Sequence, residues 1–551
     1  MVDVHAAMTA SQPPVRTAPV EPLLDVHEIQ GNIVPGFMKP RMAVMALALG
    51  DLDRARAWIA ALVPQITTLA GVMPSRLKVR AERLAKRVTA GYTDVVSELD
   101  DRWLNVAVSY HGIATLLAAG GPSDADKFED EAFKAGLAAR SALLGDPTDP
   151  AAEGNPARWV FGGAGREADI LLVFGTDVEA TMTAFVAELR ESATGAGLTV
   201  LYEEIGGKLD ALGREQFGFQ DGISQPGVRG RIADTPDTYV TPRTIDPDTL
   251  PEAWMYGHPG QYLVWPGTFV FGYETQGADP LIAAPAQLPG PPWSRNGSYA
   301  VYRRMRQDVA GFRAFAAEQA AALQAQGFEG MTGELLQANL FGRWPSGAPL
   351  ARTPDADDPA LGADPLANNH FDFAADTPTL PLIGGGTTDT YPEAKADPVG
   401  LRCPLAAHIR KVNTRDVGSD QGGRRSSFQR RLLRRSLPYG PRLPESGPDP
   451  ADGDRGLMFL SYQASIVDQF EFLNSSWMGD PIAPRSPGGF DMVIGQNGQP
   501  GEDRERSCVI LKPPQTGTVT AVRDAVVATG GGYFFSPSIS ALRDVLAVKP
   551  S

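Results

Sequence analysis

The chain has 551 residues, 43% of them hydrophobic and 21% charged, the balance of a folded globular protein long enough for more than one domain. A formal net charge of −15 disfavours nucleic acid and anionic membrane surfaces as partners. Two cysteines, Cys403 and Cys508, exclude a disulfide scaffold or a cysteine-rich zinc site, and no run is long and apolar enough to span a bilayer.

Residues 1–22 are rich in Pro, Ala and Thr without periodicity and read as a mobile arm. They lack a basic segment followed by an apolar one, so a cytoplasmic location is expected. A first block, 23–211, alternates strand and helix patterns. MAVMALALGD reads as a strand, and LDRARAWIAALVPQITTLAG has helical spacing with Asp51 or Asp53 near its start. RWLNVAVSY and ADILLVFGT are strands that lead into HGIATLLAAG and DVEATMTAFVAELRESATGAG as helices, and LTVLYEEIGG closes the block as a strand. Glycine-rich phosphate turns do not join these elements, which points to an α+β sheet with helices on one face.

A Gly-, Pro- and Asp-rich connector, 212–260, leads to a second block at 261–551. There NGSYAVYRRMRQ runs as a strand into a long helix, and GLMFLSYQASIVDQFEFLN repeats the same grammar. Between them lies a Pro-, Gly-, Ala- and Asp-rich stretch, about 327–400, expected to be a long functional loop. No direct internal repeat relates the blocks.

The six histidines lack HExxH or zinc-finger spacing, and neither a G-x-S-x-G elbow nor a phosphate-binding P-loop occurs. Three segments carry chemistry. FGFQDGISQPG (217–227) sets Asp221 between glycines and aromatics, which suits a general base in a partly apolar pocket and equally suits an Asp-Gly turn. In CPLAAHIRKVNTRD (403–416) a lone His408 precedes Arg410, Lys411 and Arg415. Neutral imidazole ligates haem iron and basic side chains pair with haem propionates, but a lone histidine also serves as an ordinary core or surface residue. RRLLRRSLPYGPRLP (430–444) holds five arginines, either a solvated face or a source of fixed positive charge beside a reacting anion.

Taken together and in this order, the three segments resemble the dye-decolorising peroxidase family. GFQDG (218–222) is similar to its GxxDG motif, AAHIRK (406–411) to the segment carrying its proximal histidine, and RRSLPYG (434–440) to the segment carrying its distal arginine. IQGNIVPGF, GTFVFGY, GRWPSGAPL and GGGYFFSP extend the resemblance over nearly the whole chain. It implies two ferredoxin-like α+β domains with antiparallel sheets and peripheral helices, of the dimeric α+β barrel type, with one haem b per chain in the second. It further implies His408 as the iron ligand, Asp221 as the distal acid/base and Arg434 as the distal arginine. Arg410, Arg415 and Gly222 would line the cofactor, with Leu457 and Phe459 on its distal face. Glu471, in preference to Asp468, would hydrogen-bond the proximal imidazole. The partners implied are hydrogen peroxide and a small aromatic reducing substrate, and a homodimer is implied as well. A haem carrier or iron-release protein of the same fold is the alternative reading.

Overall fold

The computed structural model describes residues 18–89, 100–118, 124–235, 237–247, 251–388, 393–444, 453–496 and 504–549. Eight strands build its centre: β1 (Arg41–Ala48), β2 (Trp103–Val108), β3 (Ile170–Thr176), β4 (Thr199–Gly207), β5 (Ser298–Gln307), β6 (Leu437–Tyr439), β7 (Gly456–Gln463) and β8 (Val526–Ser536). Four helices cross over between them: α1 (Leu52–Leu62), α2 (Glu179–Gly195), α3 (Val309–Ala325) and α4 (Ile466–Met478). Each half therefore runs β-α-β-β-α-β.

The strand order is β4-β1-β3-β2 in the first half and β6-β7-β5-β8 in the second, the same ferredoxin-like order written twice. The halves meet at two narrow antiparallel seams, Val108 opposite Phe535 and Gly206 opposite Tyr439, so both sheets close into one barrel within a single chain. Closure leaves no long free edge among these strands.

The barrel explains the apolar runs in the sequence. Met42, Val44 and Ala46 of β1 point into a core shared with Leu171, Val173, Tyr302, Met458, Leu460 and Phe534. The alternate residues Ala43, Met45 and Leu47 point outward and pack on Trp58, Ile59 and Leu62 of α1. A strand covered on both faces is apolar at every position, which is why β3 reads ILLVFGT and is buried throughout. α1 begins where Asp51, one of the two aspartates expected near its start, accepts the Arg54 N–H at 3.0 Å. None of the described helices is long and apolar enough to cross a membrane.

Two expectations need correction. The arm is not loose up to residue 22: Glu21 is buried, pairs with Arg229 at 3.1 Å and Arg243 at 2.5 Å, and accepts the Gly230 N–H. Residues 1–17 lie outside the described residues. The stretch around 327–400 is not a plain loop either. It holds the helices Gly333–Phe341 and Pro359–Ala363 and contributes Leu336, Leu350, Phe371 and Phe373 to a core shared with α3. Its apolar residues are real anchors, but their spacing follows neither strand nor helix periodicity.

Candidate active site

The outer face of β7 forms one wall of the site. Leu457 and Phe459 alternate with the barrel-facing Met458 and Leu460 and stay half-buried outside the barrel. Arg434 lies in the two-residue strand Leu433–Arg434, directly opposite Ser461, so it shares the face of Leu457 and Phe459. Asp221 arrives from the connector. Its Oδ1 accepts the Gly222 N–H at 2.6 Å and lies 3.7 Å from Nη2 of Arg434. Both side chains remain partly exposed, 37% and 28%, and so face a common space that a small molecule can enter.

Local structure fixes this pair. Gly222 has φ +82 with open space around the position of a Cβ, so glycine is needed for the turn and not for close packing. Gln225 brackets Arg434: its Nε2 donates to the Arg434 carbonyl at 3.1 Å, and its Oε1 accepts the Arg434 N–H at 3.3 Å. The loop and the strand are thus bound through backbone groups, leaving both charged ends free.

His408 opens the short helix His408–Lys411. Gly342 lies beneath it, where a Cβ would come within 2.5 Å of Ile409, so this glycine lets the histidine segment sit close. His408 Nδ1 is 2.7 Å from Asp491 Oδ2, and Asp491 Oδ1 accepts the N–H groups of Val493 and Ile494. Burial disfavours charge on the imidazole, but the Asp491 carboxylate outweighs it and raises the His408 pKa. Burial likewise opposes ionisation of Asp491, yet His408 and the two N–H groups hold its pKa below the usual carboxylate value. The charges of Arg434 and Asp221 also act on His408, which places the three in one neighbourhood. With Nδ1–H donated to Asp491, Nε2 carries the free lone pair. Lys411 braces the arrangement by donating to the carbonyls of Asp480 (2.7 Å), Ala483 (2.5 Å) and Gly489 (2.7 Å) in the segment that leads to Asp491.

Asp491 therefore occupies the place expected for Glu471. Glu471 instead receives Arg140 Nη2 at 2.5 Å and the Tyr533 hydroxyl at 2.9 Å, tying α4 to the first half. Asp468 is exposed and pairs with Arg430 at 3.2 Å. Arg410 and Arg415 are also corrected. Arg410 is buried against Asp397 at 3.0 Å and the Cys403 carbonyl, and Arg415 against the carbonyls of Asn369 and Phe371. Neither has its guanidinium free for a cofactor. Arg431 does: it is buried, flanked by the like charges of Arg415 and Arg434, and its guanidinium makes no hydrogen bond or ion pair among the described residues, only its carbonyl accepting from Gln469 at 2.6 Å. Burial, then those neighbouring cations, push it down to about 9.

The comparisons with known proteins accord with this arrangement. Residues 28–207 match the DyP dimeric alpha+beta barrel domain and residues 336–483 match the Dyp-type peroxidase C-terminal domain. The chain is 30% identical to dye-decolorizing peroxidase msp1 of Mycetinis scorodonius over 539 residues, 95% of this chain and 88% of that one. The chain belongs to the dye-decolorising peroxidase family. Two solved dye-decolorising peroxidases superpose over 96% of this chain and all of theirs. One is an ancestral D-type enzyme (TM-score 0.71, 30% identity) and the other a complex with 2,6-dimethoxyphenol (TM-score 0.66, 28% identity). Dye-decolorising peroxidases are haem enzymes, and the residues present here fit that group. A buried cation without a partner needs an anion, which a haem propionate would supply to Arg431. The free Nε2 of His408 suits iron, and Leu457 with Phe459 offer an apolar face. The sequence reading missed Asp491 and Arg431. A signal for the first existed, since GGFDMVIG sets one carboxylate inside an apolar run.

Proposed function

We propose that this dye-decolorising peroxidase binds one haem b per chain through His408, reduces hydrogen peroxide beside Asp221 and Arg434, and takes single electrons from bulky aromatic donors. When bound, haem supplies a redox centre that accepts two oxidising equivalents from peroxide and returns them one at a time. His408 holds the cofactor through Nε2, and Asp491 makes that nitrogen a stronger donor by accepting the Nδ1 proton. Asp221 takes the proton from one peroxide oxygen and returns it to the other, so that water departs. Arg434 holds a fixed positive charge where negative charge grows as the O–O bond breaks. Arg431 binds a propionate.

The observation that carries this reading is the Asp221–Arg434 pair. Its opposite charges lie 3.7 Å apart, anchored by backbone and open to one space. The donor class is argued from a relative solved with 2,6-dimethoxyphenol, a methoxylated phenol. The test is the absorption spectrum of the haem-loaded protein. One equivalent of peroxide is expected to shift it within the mixing time, and 2,6-dimethoxyphenol to return it. A spectrum unmoved by peroxide would overturn the reading in favour of haem carriage.

Arg431 gives a second expected outcome. Arg431→Leu removes a buried cation that has no partner until the cofactor arrives. Haem titrated into the apoprotein should bind at least about tenfold more weakly, by loss of a charge-assisted pair. The apoprotein itself should melt no lower than wild type, because an uncompensated buried charge has gone. Unchanged haem affinity would remove Arg431 from the site.

A further inference from the structure

We propose that Glu215 is the positioning residue of the peroxide-reducing step, its buried carboxylate fixing the loop that presents Asp221. The proposal rests on the role of Asp221 argued above. Glu215 Oε2 accepts the Phe217 N–H and Oε1 accepts the Phe219 N–H, both at 2.9 Å. A third donor, Gln307 Nε2 at the end of β5, reaches Oε2 at 2.5 Å. Backbone bonds close the same turn: Glu215 N–H to the Phe219 carbonyl at 2.9 Å, and Gly218 N–H to the Glu215 carbonyl at 3.0 Å. Gly218, at φ +102, makes that reversal possible.

The turn is anchored from below. Phe217 packs on Phe312 of α3 with ring centres 4.6 Å apart, and Phe219 stacks on Phe341 at 3.9 Å and 13°. Gln216 ties it to the barrel through the carbonyls of Tyr439 and Gly440. Asp221 follows Phe219 by two residues, so the height of the Phe219 peptide sets where the Asp221 carboxylate stands relative to Arg434. Glu215 is the only side chain among the described residues that binds both amides of this turn.

An acid is required at this position. Two separate carboxylate oxygens serve three N–H donors. An amide in its place has one oxygen and turns an NH2 group toward Phe217 and Gln307 or toward Phe219. Burial pushes the Glu215 carboxyl up to about 7 against the pull of those donors, with the charge of Asp221 adding to the rise.

The test uses holoenzyme variants. Glu215→Gln keeps size and shape, and Glu215→Asp keeps the charge but withdraws it from the amides, so one remains informative if the other folds poorly. The bimolecular rate of the peroxide reaction is measured by rapid mixing, and hydrogen exchange of the Phe217 and Phe219 amides is measured independently of turnover. Each variant should slow the peroxide step about tenfold, part of the general acid–base contribution. Both amides should exchange faster, while donor oxidation, followed after the peroxide step is complete, keeps its wild-type rate. In an Asp221→Asn background the same changes should add nothing, because Glu215 acts through Asp221. A wild-type peroxide rate in variants whose amides exchange faster would overturn the proposal, as would a further tenfold loss on top of Asp221→Asn. An Asp221→Asn enzyme that reacts normally with peroxide would instead overturn the function assigned to Asp221, so the two failures are distinguishable.

Discussion

Replacing Asp221 by asparagine is expected to slow the reaction of the holoenzyme with peroxide by about 10²–10⁴-fold, the usual contribution of a positioned acid–base group. The loss should be chemical and not structural. The Asp221 Oδ1 that accepts the Gly222 N–H at 2.6 Å has a counterpart in the amide oxygen of asparagine, so the turn persists. What asparagine cannot do is take a proton from one peroxide oxygen and return it to the other. Arg434→Leu should cost about 10²–10³-fold, by analogy with removal of one group that stabilises developing charge. Its backbone remains bracketed by Gln225, so the strand and the Asp221 loop stay docked. Because the two side chains act on the same bond-breaking event, the double variant should be far less impaired than the product of the single losses. Rapid mixing with excess peroxide, followed in the haem absorption band, measures each rate. Wild-type rates in both single variants would remove the pair from the mechanism.

Much of this was legible because the information is local. The strands β1 and β3 announce themselves as apolar runs of the right length, and Asp51, one of the two aspartates expected near the start of α1, is its cap in the structure. Asp221, His408 and Arg434 each stand in a short contiguous motif, and the three segments in order carried the resemblance that the family matches bear out. Barrel closure was less legible, since the seams at Val108–Phe535 and Gly206–Tyr439 join residues remote in sequence through isolated pairings.

The site residues that sequence reading misplaced fail for a geometrical reason. Arg410 was assigned to the cofactor because it is two residues from His408. Residues i and i+2 on a helix point to different sides, and Arg410 turns inward to Asp397. Arg415 stands beyond the helix at φ +52 and folds back on Phe371, its guanidinium 3.7 Å from the ring centre. Arg431 shares with Arg434 a run of five arginines that pattern alone cannot sort, since four have described partners and one does not. Glu471 drew attention as an acid in a helix with clear periodicity, but its partners come from Arg140 and β8. Asp491 is 83 residues from His408, in a segment with no helical or strand period to mark its direction.

That substitution of Asp491 for Glu471 sets up a sharp pair of expectations. Asp491→Asn removes the negative charge, and with its one oxygen kept on the Val493 and Ile494 N–H groups it turns an NH2 toward His408 Nδ1, so the imidazole becomes a weaker donor at Nε2. The iron should then be easier to reduce, with a higher reduction potential. Peroxide turnover should fall by about 10–100-fold, the common cost of losing a group that orients and polarises a metal ligand. Burial makes the effect large: Asp491 is fully enclosed, so its charge is poorly screened by water. The amide oxygen still accepts the N–H groups of Val493 and Ile494, which preserves the turn and separates electronic loss from unfolding. Glu471→Gln should do the reverse. It weakens the bidentate contact with Arg140 and the bond from Tyr533, lowering stability by about 1–3 kcal/mol, while leaving the reduction potential at its wild-type value. Spectroelectrochemical titration and thermal melts of the two holoenzymes decide between them. A shifted potential in Glu471→Gln with none in Asp491→Asn would mean that the imidazole takes its partner from α4 after all, and that the 2.7 Å contact with Asp491 does not govern the iron.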